Sequence, residues 1–164
     1  EFILIYQQGW IPRKTARPDN KRFPMMLPVR SSIHRLEVVE GDKKYLSNNT
    51  YDLEKISTQT LEEDYKRLVA KKVAGVVAKA VIAEQINKKQ QGLGTLAFIA
   101  LDAMDQADLR QWSTLPASMQ VVRIPMKSGK HTLSLLADGA GSPVWTGEVE
   151  IKKGKKHFLT YRTF

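Results

Sequence analysis

The chain has no cysteine, which excludes a disulfide framework, a thiolate nucleophile and any metal site with cysteine ligands. Long hydrophobic runs are also missing. The longest, Leu96 to Leu101, is far shorter than the roughly 20 apolar residues of a transmembrane helix. Because Glu1 to Tyr6 includes neither an initiator methionine nor a signal peptide, we expect a fragment of a longer precursor.

Acidic residues are scarce relative to basic ones. The 164 residues include 17 Asp and Glu against 26 Lys and Arg, for a formal net charge of +9. Such a positive field attracts nucleic acid, anionic lipid or an acidic polymer. A hydrophobic fraction of 42% in a chain of this length predicts one globular domain with a true core.

Histidines are few as well. His34, His131 and His157 are far apart and have no helical pairing, so no metal site is predicted. His131 and His157 follow turns at strand starts, where we expect solvated side chains. The segment Ser128 to Thr132 weakly resembles the end of a phosphate-binding loop, but Ile124 stands where the first glycine of that motif belongs.

The first part of the chain, residues 1–50, has the patterns of strands. Phe2 to Tyr6 is apolar on both faces, which predicts a strand inside a sheet. The charged segment Arg13 to Arg22 predicts a solvated loop, with a binding loop as the alternative. Phe23 to Val29, with its prolines, predicts an edge strand or extended connector. Ile33 to Val39 alternates as a strand does, and the polar cluster Ser47 to Thr50 is expected to end this portion.

Residues 58–106 predict a helical hairpin. Thr60 and Glu63 match a capping box, from which apolar residues recur every three or four positions over roughly 25 residues. The polar, glycine-containing segment 87–94 interrupts this helix. Leu93 to Met104 is apolar almost all round, so we expect a second helix buried by its neighbours.

The first helix has two further faces. Lysines and arginines form a basic side, whereas Ala70, Ala74 and Ala78, with Gly75 beside them, form a small-residue stripe that would let another backbone approach closely. A basic amphipathic helix can lie on a membrane, but the bulky aromatic anchors that such helices favour are missing, so core packing is the favoured interpretation.

After residue 117 the hydrophobic period changes from 3.6 to 2. Strands are predicted at 119–124, 131–138, 145–151 and 157–164, and we expect them to form an antiparallel β-meander over 117–164 that the N-terminal strands and the helices cover. The predicted fold class is therefore α+β: a single domain, 1–164, with an antiparallel β-sandwich-like sheet and an inserted helical hairpin.

Three aspartates near the end of the hairpin are candidates for metal binding or acid catalysis. Asp102, Asp105 and Asp108 would share one helix face, an arrangement that suits metal ligands or paired acids. Arg110 follows closely, so helix-end solvation and a local ion pair are favoured. No serine occupies a nucleophile elbow. We therefore predict a protein that is not an enzyme, with no catalytic residue, metal or cofactor.

The polar hinge between the helices and the last strands, Ala107 to Pro116, is the main candidate site. Asp108, Arg110 and Trp112 lie in it, and Arg123 lies on the strand beyond. We predict a structural clamp, in which Asp108 pairs with Arg110 or Arg123 and Trp112 packs beneath the turn. A ligand or interaction site built from the same residues is the alternative.

A second candidate site is a lysine-rich turn near the C-terminus. Lys152, Lys153, Lys155 and Lys156 flank it, and Phe158 and Tyr161 follow. The lysines are candidate contacts for an anionic polymer. Basic groups beside aromatic rings also weakly resemble a nucleic-acid-stacking sheet, although no known nucleic-acid-binding motif is present.

The hinge also carries a family resemblance. Residues 106–117 and 120–133, with their Asp-x-Arg-x-Trp, Leu-Pro and Arg-x-Pro-x-x-x-Gly pattern, and Gly9 to Pro12 upstream resemble the C-terminal region of a family of exported lipoprotein-like proteins of Gram-negative bacteria. The resemblance implies a periplasmic protein, anchored to the outer membrane by a lipid on a preceding segment, and a gene neighbourhood of lipoproteins that activate peptidoglycan synthases. It supplies no catalytic residues.

The predicted function is a non-enzymatic interaction module of the cell envelope that binds a partner protein or an anionic, peptidoglycan-like wall polymer. This prediction depends on the resemblance and on the charge of +9. A basic nucleic-acid-binding domain is the alternative.

Overall fold

The computed structural model describes residues 1–89, 93–103, 105–138 and 140–164. Within these ranges no helix is long and apolar enough to cross a membrane. The elements in chain order are β1 (Phe2–Gln8), β2 (Arg13–Ala16), β3 (Pro24–Leu27), β4 (Leu36–Glu40), β5 (Lys43–Leu46), β6 (Asn48–Asp52), α1 (Leu53–Lys89), α2 (Leu93–Ala103), β7 (Ser118–Ile124), β8 (Gly129–Ala137), β9 (Trp145–Ile151) and β10 (His157–Thr163).

The fold is α+β, with a β-sandwich and an inserted pair of helices, as predicted from the sequence. The chain divides into two compact units. The sandwich unit comprises residues 1–13, 28–57 and 112–164, and the helical unit comprises residues 14–27 and 58–111.

Two four-stranded sheets form the sandwich unit. Their strand orders are β10-β1-β7-β6 and β5-β4-β8-β9. The last four strands occupy the predicted positions, but the predicted β-meander is wrong, because β7 and β10 flank β1 in one sheet while β8 and β9 pair in the other. Four strands in one sheet bury only one face, whereas dividing them between two layers lets both apolar faces meet. The β1–β10 pair is parallel.

The core lies between the two sheets. From the first sheet, Phe2, Leu4 and Tyr6 are fully buried, in line with the prediction of an interior strand. Leu133 and Leu135 on β8 are equally buried in the facing sheet. Each buried side chain of this size contributes roughly 1.5–3 kcal/mol relative to exposure, so this core is the main source of stability in the sandwich unit.

Two N-terminal segments differ from the predictions. Arg13–Ala16, expected to begin a loop, is β2 and pairs with β3. Asn48–Asp52, expected to end the strands, is the exposed edge strand β6 on β7. Neither segment has apolar alternation, and both take strand geometry from the hydrogen bonds of a neighbouring strand, which sequence periodicity does not record.

Helix α1 begins at Leu53, five residues before the predicted hairpin and seven before Thr60, the predicted cap. The cap is Asp52, whose Oδ1 accepts a hydrogen bond from the backbone N–H of Lys55 at 2.9 Å. Thr60 and Glu63 therefore lie inside the helix, so the predicted capping box is wrong.

Helix α2 lies at its predicted position and packs closely on α1. A Cβ atom at Gly94 would overlap the carbonyl oxygen of Ala83, so this approach depends on glycine. The prediction that α2 is buried by its neighbours is wrong: Leu93, Leu96 and Ile99 are exposed. An all-round apolar helix needs neighbours on every side, and among the residues of α2 whose burial the structure describes only Gly94 is buried.

Candidate functional site

A basic cleft of about 550 Å³ lies in the helical unit. Five basic side chains line it, together with two carboxylates and several apolar residues. The lining includes Lys14, Arg22, Lys71, Lys72, Lys79, Asp105, Asp108, Phe23, Pro24, Leu68 and Leu101.

The cleft follows from the periodicity of α1. Leu68, Lys72 and Lys79 are spaced by four and seven residues, which places them on one side of a helix. Gly75 lies between them and adds no side chain. Opposite this face, the β2–β3 segment packs on α1 through Tyr65, whose ring centroid is 5.5 Å from that of Phe23 and 5.5 Å from the guanidinium of Arg17. The spacing therefore places Leu68, Lys72 and Lys79 on the same concave surface.

Asp105 is an enclosed charge of the cleft, with 16% of its side chain exposed. Its carboxylate accepts hydrogen bonds from the Nζ atoms of Lys72 and Lys79, the latter at 3.2 Å. All three side chains are largely shielded from solvent. The hydrogen bond from Lys72, and then that from Lys79, lowers the pKa of Asp105 below its ordinary value although burial opposes this. Asp105 is therefore an ionised anchor that orients the two lysines.

Asp108 pairs with Arg110, one of the two partners predicted for it. The guanidinium donates to both carboxylate oxygens, at 2.9 and 2.7 Å, and these bonds hold the pKa of Asp108 well below its usual range. Both side chains are exposed, so water screens the pair.

The other two residues of the predicted clamp have different surroundings. Trp112 does not pack beneath a turn, since 72% of it is exposed, and that part of the prediction is wrong. Arg123 pairs with Glu1 at 2.8 Å rather than with Asp108. The reason lies in the strand pairing, because the β1–β7 register places Arg123 beside the N-terminal end of β1.

The lysine-rich turn connects β9 and β10. Lys152, Lys153, Lys155 and Lys156 are all exposed, and they border a shallow concavity of about 340 Å³. Gly154, with a φ of +72°, makes the tight turn. The Glu1 carboxylate is 3.9 Å from Nζ of Lys156, so it partly neutralises the positive charge of this turn.

The aromatic residues after this turn are not equivalent. Phe158 is 58% exposed, but the Tyr161 hydroxyl donates a hydrogen bond to the carbonyl oxygen of Val144 at 3.1 Å, and its ring packs on the core. Stacking of successive bases needs more than one exposed ring, which weakens the case for nucleic acid at this turn.

His131 is not a solvated histidine, contrary to the prediction. Its Nδ1 is 2.6 Å from Oε1 of Glu40 and its Nε2 is 2.9 Å from the carbonyl oxygen of Lys127. Both partners can accept hydrogen bonds, and the bonds to Lys127 and Glu40 raise the pKa of His131. The ring thus ties the β7–β8 connection to β4.

In the part of the chain that the structure describes, no group of three or more His, Asp or Glu side chains could hold a metal ion. The side chain of Asp102 lies outside the described residues. Asp105 and Asp108, the other members of that predicted trio, have basic partners.

Sequence reasoning missed the basic cleft and an aromatic stack in the sandwich unit. Lys72 and Lys79 were assigned only to a general basic side of the helix; their seven-residue spacing, with a downstream acid, was the available signal. In the stack, Arg162 lies 4.5 Å from the ring centroid of Trp10 and 5.0 Å from that of Phe164, and it donates to the carbonyl oxygen of Thr114 at 2.8 Å.

Comparison with known proteins adds no assignment to this geometry. No protein-family model, curated protein or solved structure matches the chain.

Proposed function

We propose that this chain is a non-enzymatic interaction module of the bacterial cell envelope, in the periplasm, and that its ligand is an anionic wall polymer. The observation that carries the proposal is the basic cleft, where five basic side chains face two carboxylates. A concave surface with an excess of one sign of charge concentrates ligands of the opposite sign.

The lining suits a carbohydrate polymer that bears acidic groups. Leu68, Leu101 and Phe23 provide apolar surface that matches the carbon faces of sugar rings, and the lysines provide donors for carboxylates or phosphates. Lys72 and Lys79 are held in place by Asp105, so less side-chain freedom is lost when a ligand binds.

The state of the carboxylates supports binding rather than catalysis. Asp105 and Asp108 both have a lowered pKa because basic side chains donate hydrogen bonds to them. A general base works best when its pKa is near the working pH, and neither carboxylate meets that condition.

The test is sedimentation of the chain with purified peptidoglycan sacculi, with Lys71→Glu and Lys55→Glu compared. Both lysines are exposed residues of α1, but only Lys71 lines the cleft. We expect sacculi to retain the wild type, with retention falling as salt rises, and Lys71→Glu to lower the retained fraction severalfold while Lys55→Glu leaves it unchanged.

Equal losses in the two variants would mean that overall charge, not the cleft, holds the polymer, and would reject the proposed site. Tighter binding to labelled RNA or DNA than to sacculi at the same salt concentration would favour the nucleic-acid-binding alternative.

A further inference from the structure

An apolar stripe runs along α1 on the side away from the cleft. Val73, Val77 and Val81 recur every four residues and are 59%, 58% and 50% exposed. Ala70, Ala74 and Ala78 lie between them and are also exposed. An exposed apolar stripe of this kind marks a site of interaction with another molecule. The order of residues along the stripe indicates which molecule that is.

The stripe is complementary in shape to the same stripe of a second copy that runs in the opposite direction. If a second copy of α1 runs antiparallel, with a twofold axis between residues 75 and 76, Ala70 faces Val81, Val73 faces Ala78, and Ala74 faces Val77. Each contact then joins a small side chain to a β-branched one. This alternation allows two helices to approach closely without clash or void, and a twofold interface requires exactly such self-complementarity.

Charges beyond the stripe have the same symmetry. The reversal that pairs the stripe places Glu63 opposite Lys88, Arg67 opposite Glu84, and Glu62 opposite Lys89. All six side chains are exposed. The ion pairs that Arg67 and Lys88 make within the helix, with Asp64 at 3.7 Å and Glu84 at 3.2 Å, leave room for a second partner because those groups remain open to solvent.

A parallel pair would lose both properties. Each residue would then face its own copy, so Glu63 would meet Glu63 and Lys88 would meet Lys88. Like charges across a helix interface are destabilising. The charge pattern therefore selects one orientation, and the acidic residues beside the stripe also oppose an anionic lipid surface as its occupant.

We propose that the chain self-associates through α1, as an antiparallel helix pair with Val73, Val77 and Val81 at the centre. Helix α1 has 37 residues, so it is about 55 Å long at 1.5 Å per residue. The paired region from Glu62 to Lys89 covers most of that length. This interface does not depend on the proposed ligand of the cleft.

The first test is sedimentation equilibrium of the full chain, with Val77→Glu and Leu96→Glu compared. Both substitutions put a carboxylate at an exposed apolar position, but only Val77 lies in the stripe. We expect a concentration-dependent dimer that Val77→Glu weakens by about tenfold or more, because an unpaired carboxylate would be buried, and that Leu96→Glu leaves unchanged.

Charge reversal tests the register. Glu63→Lys should weaken the dimer severalfold, and adding Lys88→Glu should restore it, because the pair is then reversed rather than lost. A chain that remains monomeric at all concentrations, or whose dimer responds equally to Val77→Glu and Leu96→Glu, would overturn the proposal. So would a monomer that instead binds anionic vesicles through the stripe.

Cross-linking tests the orientation, and the absence of cysteine in the chain makes it specific. A mixture of Val73→Cys and Ala78→Cys chains should form a mixed disulfide under oxidation, since antiparallel packing brings these positions together. Val73→Cys alone should cross-link far less. Efficient cross-linking of Val73→Cys with itself would show a parallel pair and reject the model.

Discussion

The two units of this protein distribute the same kinds of residue in opposite ways. In the sandwich unit, large apolar side chains such as Leu4 and Leu135 are wholly buried. In the helical unit, Ala83 and Gly94 are the buried helix residues among those that the structure describes, while several valines and leucines are exposed to solvent and charges such as Asp105 are enclosed. One unit is built around a core, and the other presents surfaces.

This difference separates stability from recognition. Burial of apolar area between two sheets provides a large, non-directional stabilisation, which suits a scaffold. Enclosed lysines and exposed valines contribute little in an isolated chain, but they are the groups that an anionic ligand or a second copy would contact. The helical unit is therefore the part of the protein in which we place both proposed interactions.

The largest expected effect is the loss of stability when a buried leucine of the sandwich unit is shortened. Leu135→Ala should lower the free energy of unfolding by about 2–5 kcal/mol, because a fully buried leucine would leave a cavity. Leu96→Ala, the same change at a position that is 62% exposed, should cost little. Urea unfolding followed by circular dichroism measures both. Similar losses would show that α2 is buried in solution, contrary to its exposure here.

The next effect concerns the enclosed charges of the helical unit. Asp105→Asn removes the charge that Lys72 and Lys79 share, and should destabilise this unit by about 1 kcal/mol without affecting the sandwich core. Hydrogen exchange of backbone amides, measured separately for α1 and β8, distinguishes destabilisation of the helical unit from destabilisation of the sandwich unit. Lost protection in β8 to the same degree would mean that the units unfold together.

A smaller effect involves the hydrogen bonds of His131 in the sandwich unit. The pKa of His131 is raised in the folded protein by its hydrogen bonds to Lys127 and Glu40. Its contribution is therefore complete below the unfolded-state value of about 6.5 and is lost as the pH rises through the folded value. The melting temperature should fall over this range in the wild type.

His131→Gln should remove this dependence, whereas His157→Gln, which alters a histidine stacked on Phe2 at 6.0 Å, should keep it. An unchanged pH profile in His131→Gln would assign the dependence to another group.

The sequence predicted the apolar elements and missed two polar strands that form through pairing. β1 was located by its continuous apolar run and β7 to β10 by their alternation, and both patterns are local. The polar strand β6 and the short strand β2 were missed, since neither has apolar alternation and their geometry comes from hydrogen bonds to a neighbouring strand, which for β6 is the distant β7. The parallel pairing of β1 with β10 joins the two ends of the chain, and no local pattern records it.

The candidate site was predicted only in part. The Asp108–Arg110 pair was expected because the residues are neighbours, whereas the Lys72–Asp105 contact joins positions 33 residues apart and depends on how α2 returns along α1. Residue type did not reveal exposure either. Trp112 and the leucines of α2 were expected inside because they are apolar, but burial requires a packing partner as well.

The smallest expected effect sharpens the contrast between exposed and enclosed charge. Asp108→Ala breaks an ion pair in which 57% of the Asp108 side chain and 91% of the Arg110 side chain are exposed. Because water screens such a pair and holding two side chains in place costs entropy, the melting temperature should stay within error of the wild type, unlike that of Asp105→Asn. Differential scanning calorimetry of the two variants makes the comparison. A loss in Asp108→Ala that equals the loss in Asp105→Asn would show that Asp108 is enclosed in solution and would restore the structural clamp first inferred from the sequence.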